Sequence, residues 1–162
     1  MTHMNWKRLG MSAAAGLALA LGACAEEAPA PAPVEGVYPD LEITNARLML
    51  APVSGNPAAV YFDAAFNGER GISITGAEVA GAGKTEVHAM MEYDFEMTMA
   101  EAGPIAVRGG ETVAFEPGGF HVMAIDLDEG IAAGDTVEVT LKIIGGKTHK
   151  FEAPVKEAGE ER

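Results

Sequence analysis

Cysteine is nearly absent from this chain, since Cys24 is the only one among 162 residues. Because Cys24 stands close to the N-terminus, the rest of the chain has no thiol to act as a nucleophile or as a thiolate ligand. No Ser-His-Asp arrangement is evident, and no histidines combine with carboxylates at a catalytic spacing. We therefore predict that the protein is not an enzyme.

Basic residues are also scarce. Lys and Arg together number 11 against 24 Asp and Glu, which gives a formal net charge of −13. Removal of an N-terminal signal that contains Lys7 and Arg8 would leave nine basic and 24 acidic residues, or −15. A chain with this balance is a poor partner for nucleic acids and for anionic lipid surfaces. Solubility explains most of the acidic excess.

The chain lacks an apolar run long enough for a permanent membrane helix. Its longest, from Leu9 to Leu21, is too short to span a bilayer and follows Lys7-Arg8, which is typical of a secretory signal over residues 1–23. The signal ends in Leu21-Gly22-Ala23-Cys24, which resembles a bacterial lipobox. We predict that Cys24 is lipidated and anchors the protein to a membrane on the periplasmic side of the envelope. The alternative is an ordinary signal peptide that leaves a free thiol.

Composition divides the remaining residues into three parts. Residues 24–36 alternate Ala with Pro and cannot bury a core, so they form an extended linker. Residues 37–156 are enough for one domain with one core, and residues 157–162 form an acidic tail. No internal repeat and no second domain are found.

Branched and aromatic residues recur in short runs separated by Gly, Pro or Asp, and helical periodicity is not sustained. This pattern predicts an all-β fold, an antiparallel β-sandwich or barrel. The expected strands are Leu41–Leu50, Ala59–Asn67, Ile72–Val79, Thr85–Met91, Glu96–Ala100, Glu111–Phe115, Phe120–Leu127, Thr136–Ile144 and Thr148–Val155. Gly145-Gly146 is expected to join the last two as a hairpin turn.

Four residues carry the chemistry: His88, Met99, His121 and Met123. Two imidazoles and two thioethers suit soft, monovalent copper, because thioethers compete poorly for hard cations and the set adds no negative charge. Residues two apart on a strand share a face, so His121 and Met123 lie side by side. The sequence therefore predicts a Cu(I) site.

A hairpin can bring the other two donors together. A tight turn centred on Tyr93-Asp94 would place His88 opposite Met99 and Met90 opposite Met97, with all four on one face. Met90 and Met97 would then be auxiliary donors or an apolar collar around the metal. The turn carries no Asn-Gly or Asp-Gly signal to fix its register.

These residues resemble the periplasmic copper chaperone family PCu(A)C in their spacing of His, Met and His-X-Met. The stretch from Phe115 to Met123 is similar to the family's Pro-Gly-Gly-aromatic-His-X-Met segment, and the resemblance extends from about Leu41 to Val155. It implies a cupredoxin-like β-sandwich. It also implies delivery of Cu(I) toward the CuA centre of cytochrome c oxidase, with the apo copper subunit or another copper chaperone as partner.

Three other functions share parts of this pattern. A blue-copper electron-transfer protein would need a cysteine thiolate ligand, and Cys24 is assigned to the anchor. A periplasmic copper storage or buffering protein would use the same four ligands. A non-metal envelope lipoprotein could use the sandwich as a binding module. Among the remaining residues, we expect His149 to be structural and Met91 to lie in the core.

Overall fold

The computed structural model describes residues 36–93 and 95–160. These residues form ten strands and no helix, which confirms the expected all-β fold. The strands are β1 (Leu41–Met49), β2 (Ala58–Phe66), β3 (Ile72–Val79), β4 (Ala82–Tyr93), β5 (Glu96–Glu101), β6 (Ile105–Val107), β7 (Glu111–Phe115), β8 (Phe120–Leu127), β9 (Thr136–Ile143) and β10 (Lys147–Lys156).

The predicted signal peptide, the lipidation site at Cys24 and all of the linker except Gly36 lie outside the described residues. Two residues of the acidic tail, 161 and 162, lie outside them as well. Across the ranges that are described, no helix has the length and apolar character needed to cross a membrane.

The strands form one hydrogen-bonded order, β5-β4-β8-β7-β2-β1-β10-β9-β3-β6, and β8 also pairs with β2. The sheet folds over, because β6 at one end packs against β2 and β7 in the middle of the order. Most neighbouring strands are antiparallel, while the β1–β10 and β7–β8 pairs are parallel. The result is the two-layered sandwich that the sequence predicts.

The core lies between the layers and follows the alternation of the strands. In β2 every second residue is buried, and the same holds for most of β9. The ring of Phe62 stacks on that of Phe115, with centroids 4.2 Å apart, and its centroid lies 5.0 Å from that of Phe151. These contacts join three strands across the fold. Burial of each such side chain stabilises the fold by about 1.5–3 kcal/mol.

The hairpin of β9 and β10 agrees with its predicted pattern. Gly145 and Gly146 both have positive φ in the turn, a conformation that glycine adopts without steric cost. His149 of β10 is 5% exposed, and its Nδ1 accepts a hydrogen bond from the Tyr38 backbone N–H at 3.1 Å. His149 is thus a structural residue, as expected.

Two expectations about the strands are wrong. The structure contains a strand that the sequence analysis lacks, β6, whose three residues are too few to show alternation. Met91 is 49% exposed rather than part of the core. Its neighbours Val87 and Ala89 on the same face are buried, but the pairing of β4 with β8 ends at Ala89, so Met91 projects beyond the covered part of the sheet.

Candidate metal centre

The turn before β8 sets the position of His121 and Met123. Gly118 has a φ of 85°, and the N–H of Gly119 donates to the carbonyl of Glu116 at 2.9 Å, which reverses the chain just before the strand. In β8, Val122 and Ala124 point into the core, so His121 and Met123 lie on the opposite face. His121 is 5% exposed and Met123 is half-buried.

His88 lies directly across from His121. The two residues are register partners in the antiparallel pair β4–β8, and their ring centroids are 5.9 Å apart in an edge-on arrangement. Val87 and Ala89 face the core, which turns His88 toward the face that carries His121. Two imidazoles far apart along the chain are therefore neighbours in space.

The two ring nitrogens of His88 differ in their surroundings. Nε2 lies 2.8 Å from a carboxylate oxygen of Glu86. Nδ1 is buried and has no hydrogen-bond partner among the described residues. Two hydrogen bonds hold the pKa of the Glu86 carboxyl below its ordinary value. The one from Lys84 has the larger effect, and the one from His88 the smaller. An ionised carboxylate only accepts, so Nε2 carries the proton and Nδ1 keeps its lone pair.

His121 has the complementary arrangement. Its Nδ1 lies 3.2 Å from the backbone carbonyl of Gly119, which can only accept a hydrogen bond. Nδ1 therefore donates, and the lone pair is left on Nε2. A histidine that donates from one nitrogen to a carbonyl or a carboxylate presents the other nitrogen as a metal donor. Both histidines have the hydrogen-bond partner that this state requires.

The hairpin of β4 and β5 has a different register from the predicted one. Met90 pairs with Met99, and His88 pairs with Glu101 rather than with Met99. The pair closest to the turn is Tyr93 with Glu96, so the turn lies one residue later than expected. The sequence has no strong turn signal here, and a shift by two partner positions keeps every side chain on its face.

The predicted common face survives this shift. His88, Met90, Met97 and Met99 all lie on one side of the hairpin, but Met99 is diagonal to His88 rather than opposite it. Met97 lies across from Glu92, farther from the histidines. Met97 and Met99 are 59% and 50% exposed.

The thioethers flank the histidine pair on two sides. Met123 lies across from Glu86 on β4, while Met99 lies across from Met90, two residues beyond His88 in the other direction. The register therefore brings His88, His121 and Met123 together most closely. Met99 stands at a diagonal distance that long side chains can bridge.

Aromatic and cationic groups cover the other side of His121. The ring of Tyr61 lies 6.4 Å from that of His121, and the Arg47 guanidinium lies 5.1 Å from the centre of the Tyr61 ring. Arg47, Tyr61 and Pro117 also line a cavity of about 620 Å³. This cavity borders the histidine pair through Tyr61 and does not contain it.

This face carries imidazole nitrogen, methionine sulfur and the carboxylate of Glu86, which Lys84 and His88 already engage. Within the described ranges, no group of three or more His, Cys, Asp or Glu side chains is arranged to hold a metal ion. A metal held by the histidine pair together with Met99 and Met123 would have two nitrogen and two sulfur donors. Such a donor set favours a soft, singly charged ion over Zn²⁺, Mg²⁺ or Ca²⁺.

Three neighbours of the site are absent from the sequence prediction. Lys84 and Glu86 precede His88 at intervals of two, so strand alternation could have identified them as residues of the same face. Tyr61 had no such signal. Its contact with His121 arises from the pairing of β2 with β8, which no local pattern indicates.

Sequence comparison relates the chain to lipoproteins. Residues 41–155 match the family described as "Putative lipoprotein LpqE-like". The "Putative lipoprotein Lxx21020" of Leifsonia xyli subsp. xyli is 30% identical over 144 residues, which cover 88% of this chain and 86% of the relative.

Structural comparison relates the fold to PCuAC domains. The copper-bound PCuAC domain from PmoF2 superposes with a TM-score of 0.59 at 21% identity, over 73% of this chain and 93% of that domain. The solution structure of CuI-DR1885 from Deinococcus radiodurans gives a TM-score of 0.59 at 25% identity, over 78% and 84%. Its apo form gives 0.60 at 22% identity, over 95% and 100%. The fold is thus that of the cupredoxin-like PCuAC domains.

Proposed function

This chain belongs to the LpqE-like family of lipoproteins, and on that premise we propose that it is a lipid-anchored carrier of Cu(I) in the cell envelope. The family description supports an anchor, which we assign to Cys24, with residues 24–36 as the tether and residues 37–156 as the copper-binding domain. The structural neighbours CuI-DR1885 and the PmoF2 domain are described as copper-bound, which supports copper as the cargo.

One observation carries the proposal. The adjacent rings of His88 and His121 each have one nitrogen engaged as a donor, and the second nitrogen of His88 is buried with no partner in the described part of the chain. Leaving such an atom unpaired costs about 1–3 kcal/mol, a cost that a bound ion removes. Cu(I) accepts two imidazole nitrogens readily and tolerates a low-charge environment.

We propose His88, Met99, His121 and Met123 as the ligands, with Met90 and Met97 as auxiliary donors. His121 and Met123 support this set because they are neighbours on one face of β8. Met99 requires its long side chain to cross a diagonal of the hairpin. Met90, between Met99 and the histidines, shields the metal or replaces Met99 at intermediate stages of loading.

The exposure of the methionines favours a carrier over a permanent site. Met97 is 59% exposed and Met99 is 50% exposed. An acceptor can therefore reach the sulfur side of the site without unfolding of the core. Ligand exchange then passes the ion from thioethers to the acceptor's donors. We propose the apo copper subunit of cytochrome c oxidase as the acceptor and place the exchange on the periplasmic side of the envelope. No catalytic activity is proposed.

Competition with a chromophoric Cu(I) chelator tests the binding step. The full chain is compared with the double variant Met99→Ala and Met123→Ala, and with Met91→Ala as the matched control from the other face of the hairpin. We expect tight binding by the parent and the control and weak binding by the double variant. Equal and weak binding by all three would favour a non-metal lipoprotein.

Transfer distinguishes a carrier from a copper store. Copper-loaded protein is mixed with the apo copper domain of the oxidase under chelator control. Ferricyanide then oxidises each aliquot by one electron per centre, and the absorbance of the oxidised CuA centre reports how much has been loaded. The carrier function predicts faster loading than the chelator-buffered copper alone provides. Retention of copper by the loaded protein would instead identify storage.

A further inference from the structure

Glu86 links the candidate metal centre to Lys84. Lys84, Glu86 and His88 alternate along β4 and share its outer face, and the Glu86 carboxylate contacts both neighbours. We propose that Glu86 is a positioning residue, which holds His88 in the tautomer that offers Nδ1, rather than Nε2, to the metal. The inference rests on the proposed Cu(I) function for its metal and on the hydrogen bonds for its geometry.

The contact with Glu86 determines which nitrogen of His88 carries the proton. A neutral imidazole carries one N–H, and the nitrogen that faces a carboxylate takes it. The Nε2 to Oε2 distance of 2.8 Å corresponds to a charge-assisted hydrogen bond. Nδ1, buried and without a partner in residues 36–93 and 95–160, is then the only nitrogen of this ring with a free lone pair.

The carboxylate of Glu86 is itself held by two neighbours. Both of its oxygens are engaged, Oε1 with the Lys84 ammonium and Oε2 with His88. Glu86 lies across from Met123 and would otherwise offer a hard oxygen donor to the metal. The ion pair with Lys84 therefore keeps Glu86 in its supporting role. The side chain of Glu86 is 20% exposed, so this arrangement is partly shielded from water.

The two histidines engage opposite ring nitrogens in hydrogen bonds. The carbonyl of Gly119 engages Nδ1 of His121, so His121 offers Nε2, whereas Glu86 makes His88 offer Nδ1. The pair would therefore hold a metal through Nδ1 of His88 and Nε2 of His121.

A matched control exists on the opposite side of His88. Glu101 is the register partner of His88 on β5, on the same face, and no hydrogen bond joins the two side chains in the described structure. Glu101→Gln removes one negative charge beside His88 and leaves its hydrogen bond intact. Glu86→Ala removes both charge and hydrogen bond, and Glu86→Gln keeps an acceptor oxygen.

The tautomer is read directly from the metal-free full chain by long-range ¹H–¹⁵N NMR of its histidine rings, at a pH where they are neutral. We expect His88 of the parent and of Glu101→Gln to carry its proton on Nε2. Glu86→Ala is expected to populate the other tautomer. A parent His88 with its proton on Nδ1, or an unchanged tautomer in Glu86→Ala, would overturn the proposal.

Copper binding provides the second readout. Loss of a hydrogen-bonded supporting residue typically weakens metal affinity by about 10–100-fold, so this loss is expected for Glu86→Ala in chelator competition. Glu86→Gln should recover part of it, and Glu101→Gln should bind like the parent. An equal loss in Glu86→Ala and Glu101→Gln would assign the effect to charge and overturn the positioning role. Circular dichroism confirms that each variant is folded.

The two proposals fail in different ways. If the parent shows the Nε2–H tautomer and Glu86→Ala changes it, but neither protein binds Cu(I), the copper function is wrong and the positioning of His88 by Glu86 stands. If the parent binds Cu(I) and Glu86→Ala binds it equally well with the same tautomer, the copper function stands and the role of Glu86 is wrong.

Discussion

His88 of β4 lies directly across from His121 of β8, with ring centroids 5.9 Å apart. This pairing brings two histidines that are distant in the sequence into one site. It also fixes the environment of each ring, since Glu86 engages one nitrogen of His88 and Gly119 engages one nitrogen of His121. The remaining nitrogens and the neighbouring thioethers form the donor set on which the proposed function depends.

Replacement of a ligand thioether should affect copper retention without affecting the fold. Met99 is 50% exposed, so Met99→Leu should change the metal-free unfolding free energy by no more than about 0.5 kcal/mol. A bound ligand stabilises only the folded state, so the variant should lose most of the rise in Tm that Cu(I) gives the parent. Calorimetry with and without Cu(I) measures both. Unfolding of the metal-free variant would contradict the separation of site and core.

The observed hairpin register ranks the two outer methionines. Met99 is diagonal to His88, whereas Met97 lies across from Glu92 and nearer to the turn. Met97→Leu should therefore weaken Cu(I) binding less than Met99→Leu does in chelator competition. The predicted register with His88 opposite Met99 and Met90 opposite Met97 gives Met97 a closer position. A larger effect from Met97→Leu would contradict this ranking, because Met99 is nearer to His88 than Met97 in both registers.

Core and hairpin positions should differ sharply in their effect on stability. Leu141 is fully buried in β9, so Leu141→Ala should cost about 2–5 kcal/mol of unfolding free energy. Met91 is 49% exposed, and Met91→Ala should cost no more than about 0.5 kcal/mol. Urea denaturation of both variants provides the comparison. A loss of unfolding free energy for Met91→Ala close to that for Leu141→Ala would indicate that Met91 is packed in the core.

Acid should destabilise the domain partly through His149. Burial, the largest cause, lowers the pKa of His149 below its ordinary value. In the unfolded chain the pKa is about 6.5, so below that pH the unfolded state binds a proton that the folded state resists. The contribution of His149 to stability is therefore present above pH ~6.5 and falls as the pH decreases toward the folded pKa.

The variant His149→Gln isolates this effect, because its amide oxygen can still accept from the Tyr38 N–H. Urea denaturation at several pH values between about 5 and 7.5 should show a smaller loss of stability on acidification than in the parent. The carboxylates contribute equally to both proteins and cancel in the difference. Identical pH dependence would show that folding does not shift the pKa of His149.

Much of the fold could be predicted because each strand shows its alternation of buried and exposed residues in the local sequence. Alternation in β9 and β10 and the glycines between them indicated a hairpin, and the structure has it. The same periodicity predicted that His121 and Met123 share one face of their strand. The short strand β6 has too few residues to show alternation. Met91 follows the pattern of a core residue, but no neighbouring strand covers it.

The register of the β4–β5 hairpin shows where local information ends. A displacement by two partner positions preserves every face, so hydrophobic alternation cannot distinguish the predicted register from the observed one. Among the local signals only the turn could decide between them, and its residues carry no strong preference. Packing of the whole sheet selected the register in which Met90, rather than His88, faces Met99.

By itself, the sequence determined which donor atoms this protein carries and which of them share a face, because side-chain chemistry and the period of two belong to each strand alone. The tertiary structure decided that His88 and His121 are neighbours, that Tyr61 covers one ring and that Glu86 holds the other. Pairing between strands that are distant in the chain depends on the closure of the complete core, which no single strand specifies.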